Sequence, residues 1–188
     1  MMQFPLHVKA VAIDLDGTLL DTISDLAHAS NLMRVELGMS ELPEDLIKTF
    51  VGKGLVNLVR RTLVGGGDTS HITEAELSRA LEVYERHYAL VLTRETSHYP
   101  GVLEGLRAMH DAGFRLACIT NKAEKFTVPL LQQMNLAHFF EITVSGDTTA
   151  KRKPDPMPLL HAAEFFKITP SEMLLIGDSV NDYLAARA

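Results

Sequence analysis

The chain has 188 residues, which at about 150 residues per domain is one domain, or one with a modest insertion. Eighteen Lys and Arg against 24 Asp and Glu leave a net charge of −6, which argues against a nonspecific nucleic-acid or anionic-membrane binder with its basic stripe. With 46% apolar and 22% charged residues it is globular material, and one cysteine excludes an intramolecular disulfide or a multi-cysteine zinc site.

The start, Met1 to Lys9, has no long apolar core and no charged region before one, so it reads as no secretory signal. No apolar run approaches the roughly 20 residues of a membrane span. These readings and the lone cysteine predict a cytoplasmic protein.

Val8 to Leu15 is a short, apolar, β-branched run ending in carboxylates and Gly17, which predicts a buried parallel strand. From Thr22 the period becomes helical, with Gly38 as a stop. Pro43 opens another helix with Glu44 and Asp45 in its first turn. Gly52-Lys53-Gly54 breaks it, Leu55 to Leu63 resumes, and Gly65-Gly66-Gly67 ends that segment. Thr73 and Glu76 form a capping box before a stripe containing Leu77, Ala80, Leu81, Tyr84 and Tyr88. Residues 20–95 are therefore expected to be all helical.

After Tyr99-Pro100-Gly101 the pattern alternates. A helix is predicted over 102–112, a strand over 115–120, and a helix started or kinked by Pro129. A strand over 140–144, a helix over 156–166 and a strand over 173–176 follow. The last residues, 182–188, read as a helix cut off early. This order implies an α/β fold: a parallel, Rossmann-like sheet flanked by helices, with an α-helical insertion after the first strand.

Ligands of such sheets bind at the carboxyl ends of the strands. Asp14 and Asp16 end the first strand, Thr120 and Asn121 the second, and Gly177-Asp178 the fourth; Lys153 follows the third. Their side chains are expected on one rim. Asp14 and Asp16, two apart on a strand, point to one side, and close carboxylates repel unless a cation or shared proton offsets them. With Asp178 they form an oxygen-ligand site suited to Mg²⁺. The bland alternative for any one of these Asp residues is helix capping or turn closure. Lys153 and Thr120 are suited to phosphoryl oxygens, and Pro154 restricts the approach of Lys153. Lys151 and Arg152 read as solvated, Arg60 and Arg61 as surface residues, Cys118 as core, and the histidines show no ligand spacing. An Asp beside a metal can act as nucleophile, and a second carboxyl can protonate the leaving oxygen and then take a proton from water.

Asp14-Leu15-Asp16-Gly17-Thr18 resembles the DxDGT first motif of the haloacid dehalogenase superfamily. Thr120-Asn121, Lys153-Pro154-Asp155-Pro156 and Gly177-Asp178-Ser179-Val180-Asn181-Asp182 resemble its second, third and fourth motifs, in family order. The resemblance covers nearly the whole chain. It implies that Asp14 is the nucleophile and Asp16 the general acid/base. Thr120, Asn121 and Lys153 would hold the phosphoryl group. Asp14, the Asp16 backbone carbonyl and Asp178 would hold Mg²⁺. Asp182 would support the metal site or orient Lys153. The second Asp of the motif favours phosphoryl transfer over dehalogenation.

The implied organisation is a core of 1–19 and 99–188 around a helical cap of 20–98. Finer details, including Thr120-Asn121-Lys122, Tyr99-Pro100-Gly101-Val102 and the Lys-Pro-Asp-Pro stretch through Leu160, are similar to superfamily phosphatases of 2-phosphoglycolate. Substrate choice would then lie in the cap. Lys53, between two glycines, either meets a small substrate carboxylate or sits solvated in a helix–helix turn. The expected partner is a small phosphorylated metabolite, with no nucleic acid and no membrane, for a monomer or homodimer. A phosphatase of another small ester or of pyrophosphate, a phosphomutase sharing every core residue, and a non-catalytic binding protein are the competing readings. The resemblance also predicts a further strand and helix after Ala188, so that the sheet edge at the fourth strand would be left uncovered.

Overall fold

Residues 8–188 are described in the computed structural model of the protein. Most of the N-terminal stretch that lacks a secretory pattern lies outside the described residues. Four strands form one sheet: β1 (Ala10–Ile13), β4 (Arg115–Ile119), β5 (Ile142–Val144) and β6 (Met173–Ile176). Their order is β5-β4-β1-β6, and every pairing is parallel. The first strand is thus central, with β4 and β6 on its two sides, and the carboxyl ends of all three lie next to one another.

The pleat sorts the strand residues into two cores. Val11 and Ile13 with Leu116 and Cys118 face one side, packed with Leu106, Phe126 and Leu130. Ala10 and Ala12 with Ala117 and Ile119 face the other, packed with Leu159, Ala162 and Phe166. The helices beyond β1 in the alternating half are α5 (Val102–Asp111), α6 (Glu124–Gln133), α7 (Met157–Phe166) and α8 (Val180–Arg187). Pro129 does not start α6, which begins five residues earlier, and lies inside the helix. Its start is fixed by the Glu124 N–H donating to Asp147 Oδ1 at 2.8 Å.

The insertion contains α1 (Ile23–Glu36), α2 (Glu44–Lys48), α3 (Leu55–Val64) and α4 (Glu74–Val91). The capping box forms at α4: the Glu76 N–H donates to Thr73 Oγ1 at 3.3 Å, and the Thr73 N–H to Glu76 Oε2 at 2.8 Å. Gly65 ends α3 in the left-handed region that glycine enters freely. The expected all-helical run needs one correction. Its first residues form β2 (Leu20–Asp21), which pairs antiparallel with β3 (Ser97–His98) where the chain returns. Two-residue strands carry no readable period; this pairing is purely tertiary.

β6 pairs only with β1 among the described residues, and Ile176 is exposed. Val180, Tyr183 and Leu184 of α8 face solvent beside it. No helix among the described residues is long and apolar enough to cross a membrane.

Candidate active site

The rim is built from strand ends. Asp14 directly follows β1, and its N–H donates to the Ile176 carbonyl at 2.9 Å, holding it against the end of β6. Thr120 directly follows β4, and its N–H donates to the Val144 carbonyl at 2.9 Å. Into this corner comes Lys153, 2% exposed. Its ammonium lies 2.9 Å from Asp14 Oδ1 and donates to Asp182 Oδ1 and the Ile119 carbonyl, each at 2.6 Å. Three N–H bonds are thereby spoken for, two of them by carboxylates.

The electrostatics follow from burial. Desolvation pushes the Asp14 carboxyl up to about 6, with Asp182 adding to the rise and Lys153 opposing it. Burial acts against the Lys153 ammonium too, but Asp14 and Asp182 outweigh it and hold the group above its ordinary range. Asp14 is therefore largely ionised at neutral pH, though less securely than an exposed carboxylate.

Asp14, Asp178 and Asp182 each place one carboxylate oxygen within 4.8 Å of the others. Hard oxygen donors at this spacing fit a divalent cation such as Mg²⁺. Asp182 is the most committed of the three. It accepts from Lys153 and from the Ser179 N–H at 3.0 Å as part of the N-terminal box of α8. Asp178 is exposed and accepts from Thr18 Oγ1 at 2.9 Å. It lies over Gly17, where an added Cβ would sit 2.5 Å from Asp178 Oδ2. The glycine of the first motif thus leaves room for the carboxylate of the fourth.

Asp16 is held apart from that cluster. Its carboxylate accepts from Thr22 Oγ1 at 2.7 Å and forms a two-oxygen ion pair with Lys122 Nζ, 2.9 Å to each. Its side chain is thus free of the acidic cluster, where sequence reasoning had grouped it with Asp14 and Asp178. The sequence signal of Lys122 is only that it follows Thr120-Asn121.

Thr120 is buried and accepts the Lys122 N–H at 3.1 Å, which leaves its hydroxyl proton free for a ligand. Asn121 is placed differently. Its amide group donates to the Gly52 carbonyl at 2.9 Å and the Lys153 carbonyl at 2.8 Å, so it ties three loops together. Asn181 donates to the same Gly52 carbonyl at 3.1 Å. Lys53 is exposed and does not line the cleft, whereas Gly52 and Gly54 on either side do. Both glycines have positive φ, +95° and +83°, and the turn they make directs the lysine outward.

Between rim and insertion lies a cleft of about 50 Å³. Asp14, Asp16, Thr120 and Lys122 line its sheet side. Leu26, Val51, Leu55 and Leu58, with Tyr84 and Tyr88, line the insertion side.

A parallel sheet with a carboxylate–lysine rim, covered by a helical insertion, places the protein in the α/β class with a ligand site at the strand ends. A family model described as haloacid dehalogenase-like hydrolase matches residues 11–188, and the chain belongs to that family. Among its relatives is a phosphoglycolate phosphatase of Nitrosospira multiformis, 57% identical over 187 residues, covering 100% of this chain and 82% of that protein. Another, from Thiobacillus denitrificans, is 51% identical over 188 residues with the same coverage. The crystal structure of a predicted phosphoglycolate phosphatase from Haemophilus somnus 129pt matches with a TM-score of 0.90 and 30% identity, over 96% of this chain and 81% of that one.

Proposed function

We propose that the protein is a Mg²⁺-dependent phosphomonoester hydrolase that works through an aspartyl-phosphate on Asp14, with 2-phosphoglycolate as its substrate. The observation that carries the reaction type is the Asp14–Lys153 pair, buried at the sheet rim and opening on a cleft that also holds Asp16. The substrate rests on the names of the relatives at 57% and 51% identity.

Asp14 attacks phosphorus and the ester P–O bond breaks. Asp16, protonated and released from Lys122, gives its proton to the leaving oxygen, then takes one from the water that attacks the aspartyl-phosphate and frees Asp14. The Thr120 hydroxyl donates to a phosphoryl oxygen, Lys153 exchanges its contact with Asp14 Oδ1 for another, and Asp182 keeps the lysine aimed. Asp14, the Asp16 carbonyl and Asp178 would hold Mg²⁺, which offsets the repulsion between a carboxylate nucleophile and an anionic ester.

The test is initial-rate hydrolysis with Mg²⁺ of 2-phosphoglycolate beside sugar phosphates, pyrophosphate and nucleotides. The expected profile peaks at 2-phosphoglycolate, and Asp14→Asn lowers turnover by at least roughly 1,000-fold while the protein stays folded. Wild-type turnover in Asp14→Asn refutes the nucleophile. A flat profile refutes the substrate and leaves the reaction class standing. Isomerised product without phosphate release identifies a phosphomutase instead.

A further inference from the structure

Two buried polar groups on residues of the cleft wall have no part in the chemistry above. Tyr84 and Tyr88 lie four residues apart, on one face of α4, and their side chains are fully buried. Neither hydroxyl has a hydrogen-bond partner among the described residues, although both residues line the cleft with Asp14 and Asp16. Buried phenols ordinarily find a partner, and phenylalanine would fill a purely structural stripe without leaving a hydroxyl stranded.

The surroundings define what these hydroxyls suit. The rings are fixed: their centroids are 5.6 Å apart, and Tyr88 meets Phe126 edge-on at 4.9 Å. Burial foremost holds both phenols well above their usual range, so both carry a proton and can donate it. The Lys122 ammonium lies 5.1 Å from the Tyr88 ring centroid. The rest of the insertion side is aliphatic. Two O–H donors in an apolar wall match a carboxylate, which accepts two such bonds, while the Lys122 ammonium is held by both oxygens of Asp16. The phosphoryl end of a substrate is held at Asp14, Thr120 and Lys153, so the group that meets the tyrosines belongs to the leaving alcohol. A single water needs roughly 10–15 Å³, so a cleft of about 50 Å³ admits a leaving group of only a few atoms.

We propose that Tyr84 and Tyr88 are specificity-determining residues whose hydroxyls donate hydrogen bonds to a carboxylate on a short leaving group. This gives to the tyrosines the contact that was one of two readings for Lys53. It rests on the phosphomonoester reading above and gives that reading its recognition element.

The test uses the full chain with Mg²⁺ and the variants Tyr84→Phe, Tyr88→Phe and the double variant. Two esters are compared: 2-phosphoglycolate and ethyl phosphate, which has a methyl in place of the carboxylate. The ratio of their kcat/KM values is expected to fall roughly 10- to 100-fold in each single variant, chiefly through KM for 2-phosphoglycolate. The melting temperature is expected to stay or rise, because no intramolecular partner is lost. An unchanged ratio in a wild-type background that prefers 2-phosphoglycolate overturns the proposal and spares the substrate reading. An equal loss on both esters, or a lowered melting temperature with the ratio unchanged, also overturns it, since a structural phenol behaves so. A wild-type protein with no preference between the esters overturns the substrate reading and this subsite together.

Discussion

Asp14 is in a poor place for stability and a good one for chemistry. Its carboxyl, raised to about 6 by burial, is ordinary in the unfolded chain, where the reference value is 3.8. The folded protein therefore binds the proton more tightly than the unfolded one, and stability from this group falls as pH rises from about 4 to about 6. The loss is at most about 3 kcal/mol, two pKa steps at about 1.4 kcal/mol each. Metal-free Asp14→Asn is accordingly expected to be more stable than wild type above pH 6 and level with it near pH 4, as urea unfolding at both pH values will show. An equal difference at both would mean that packing and not charge is responsible. The rim residues Asp14, Thr120, Lys153 and Asp178 were legible in the sequence because each ends or follows a strand whose apolar run is plain. Lys122, Tyr84 and Tyr88 were not. Lys122 reaches Asp16 across 106 positions of sequence, and the tyrosines hide inside a helical stripe that reads as core. Lys53 was left between two readings because glycine flanks announce a turn without saying which way its middle residue points.

Elements that carry their own stop and start signals came through with their bounds nearly intact. α4 is the clearest case, since the Thr73–Glu76 box satisfies its first N–H groups locally. Thr73→Ala is expected to lower stability by about 1 kcal/mol without altering substrate preference, measured by urea unfolding and by relative rates. A change in preference would mean that the cap box sets the seating of Tyr84 and Tyr88, eleven and fifteen residues further on. The elements that were not legible, β2 and β3, are two residues long and exist only because Leu20 finds His98 and Asp21 finds Ser97. Pro129 shows a local signal that leaves two outcomes open, a helix start or a kink, and the contact of Glu124 with Asp147 puts the start elsewhere.

At the scale of the whole molecule, one apolar cluster runs from the sheet into the insertion. Val11, Ile13 and Leu116 of the strands share it with Leu26, Met33, Leu58 and Tyr84 of the helices. A shared core of this kind makes separate melting of the two parts costly. Amide exchange in α4 and in β1 is therefore expected to follow the same opening free energy, as read by native-state hydrogen exchange in low urea. Earlier release of α4 alone would show the insertion to be a separate cooperative unit. The α/β order and the place of the insertion followed from the alternation of periods along the chain. The depth of this shared core did not, because apolar positions in a helix do not disclose which neighbour they will meet.

The carbonyl of Gly52 receives amide donors from Asn121, in the loop after β4, and from Asn181, in the first turn of α8. A main-chain acceptor has an unusual standing under mutation. No change of side chain at position 52 deletes it, and what that position must preserve is a backbone angle, φ +95°, that nearly every other residue resists. The two donors have no such protection, since each is lost by a single amino-acid replacement. Sequence drift in the insertion loop is thus constrained by geometry, while drift at the rim is constrained by chemistry. The tie between the two halves is most readily lost from the sheet side.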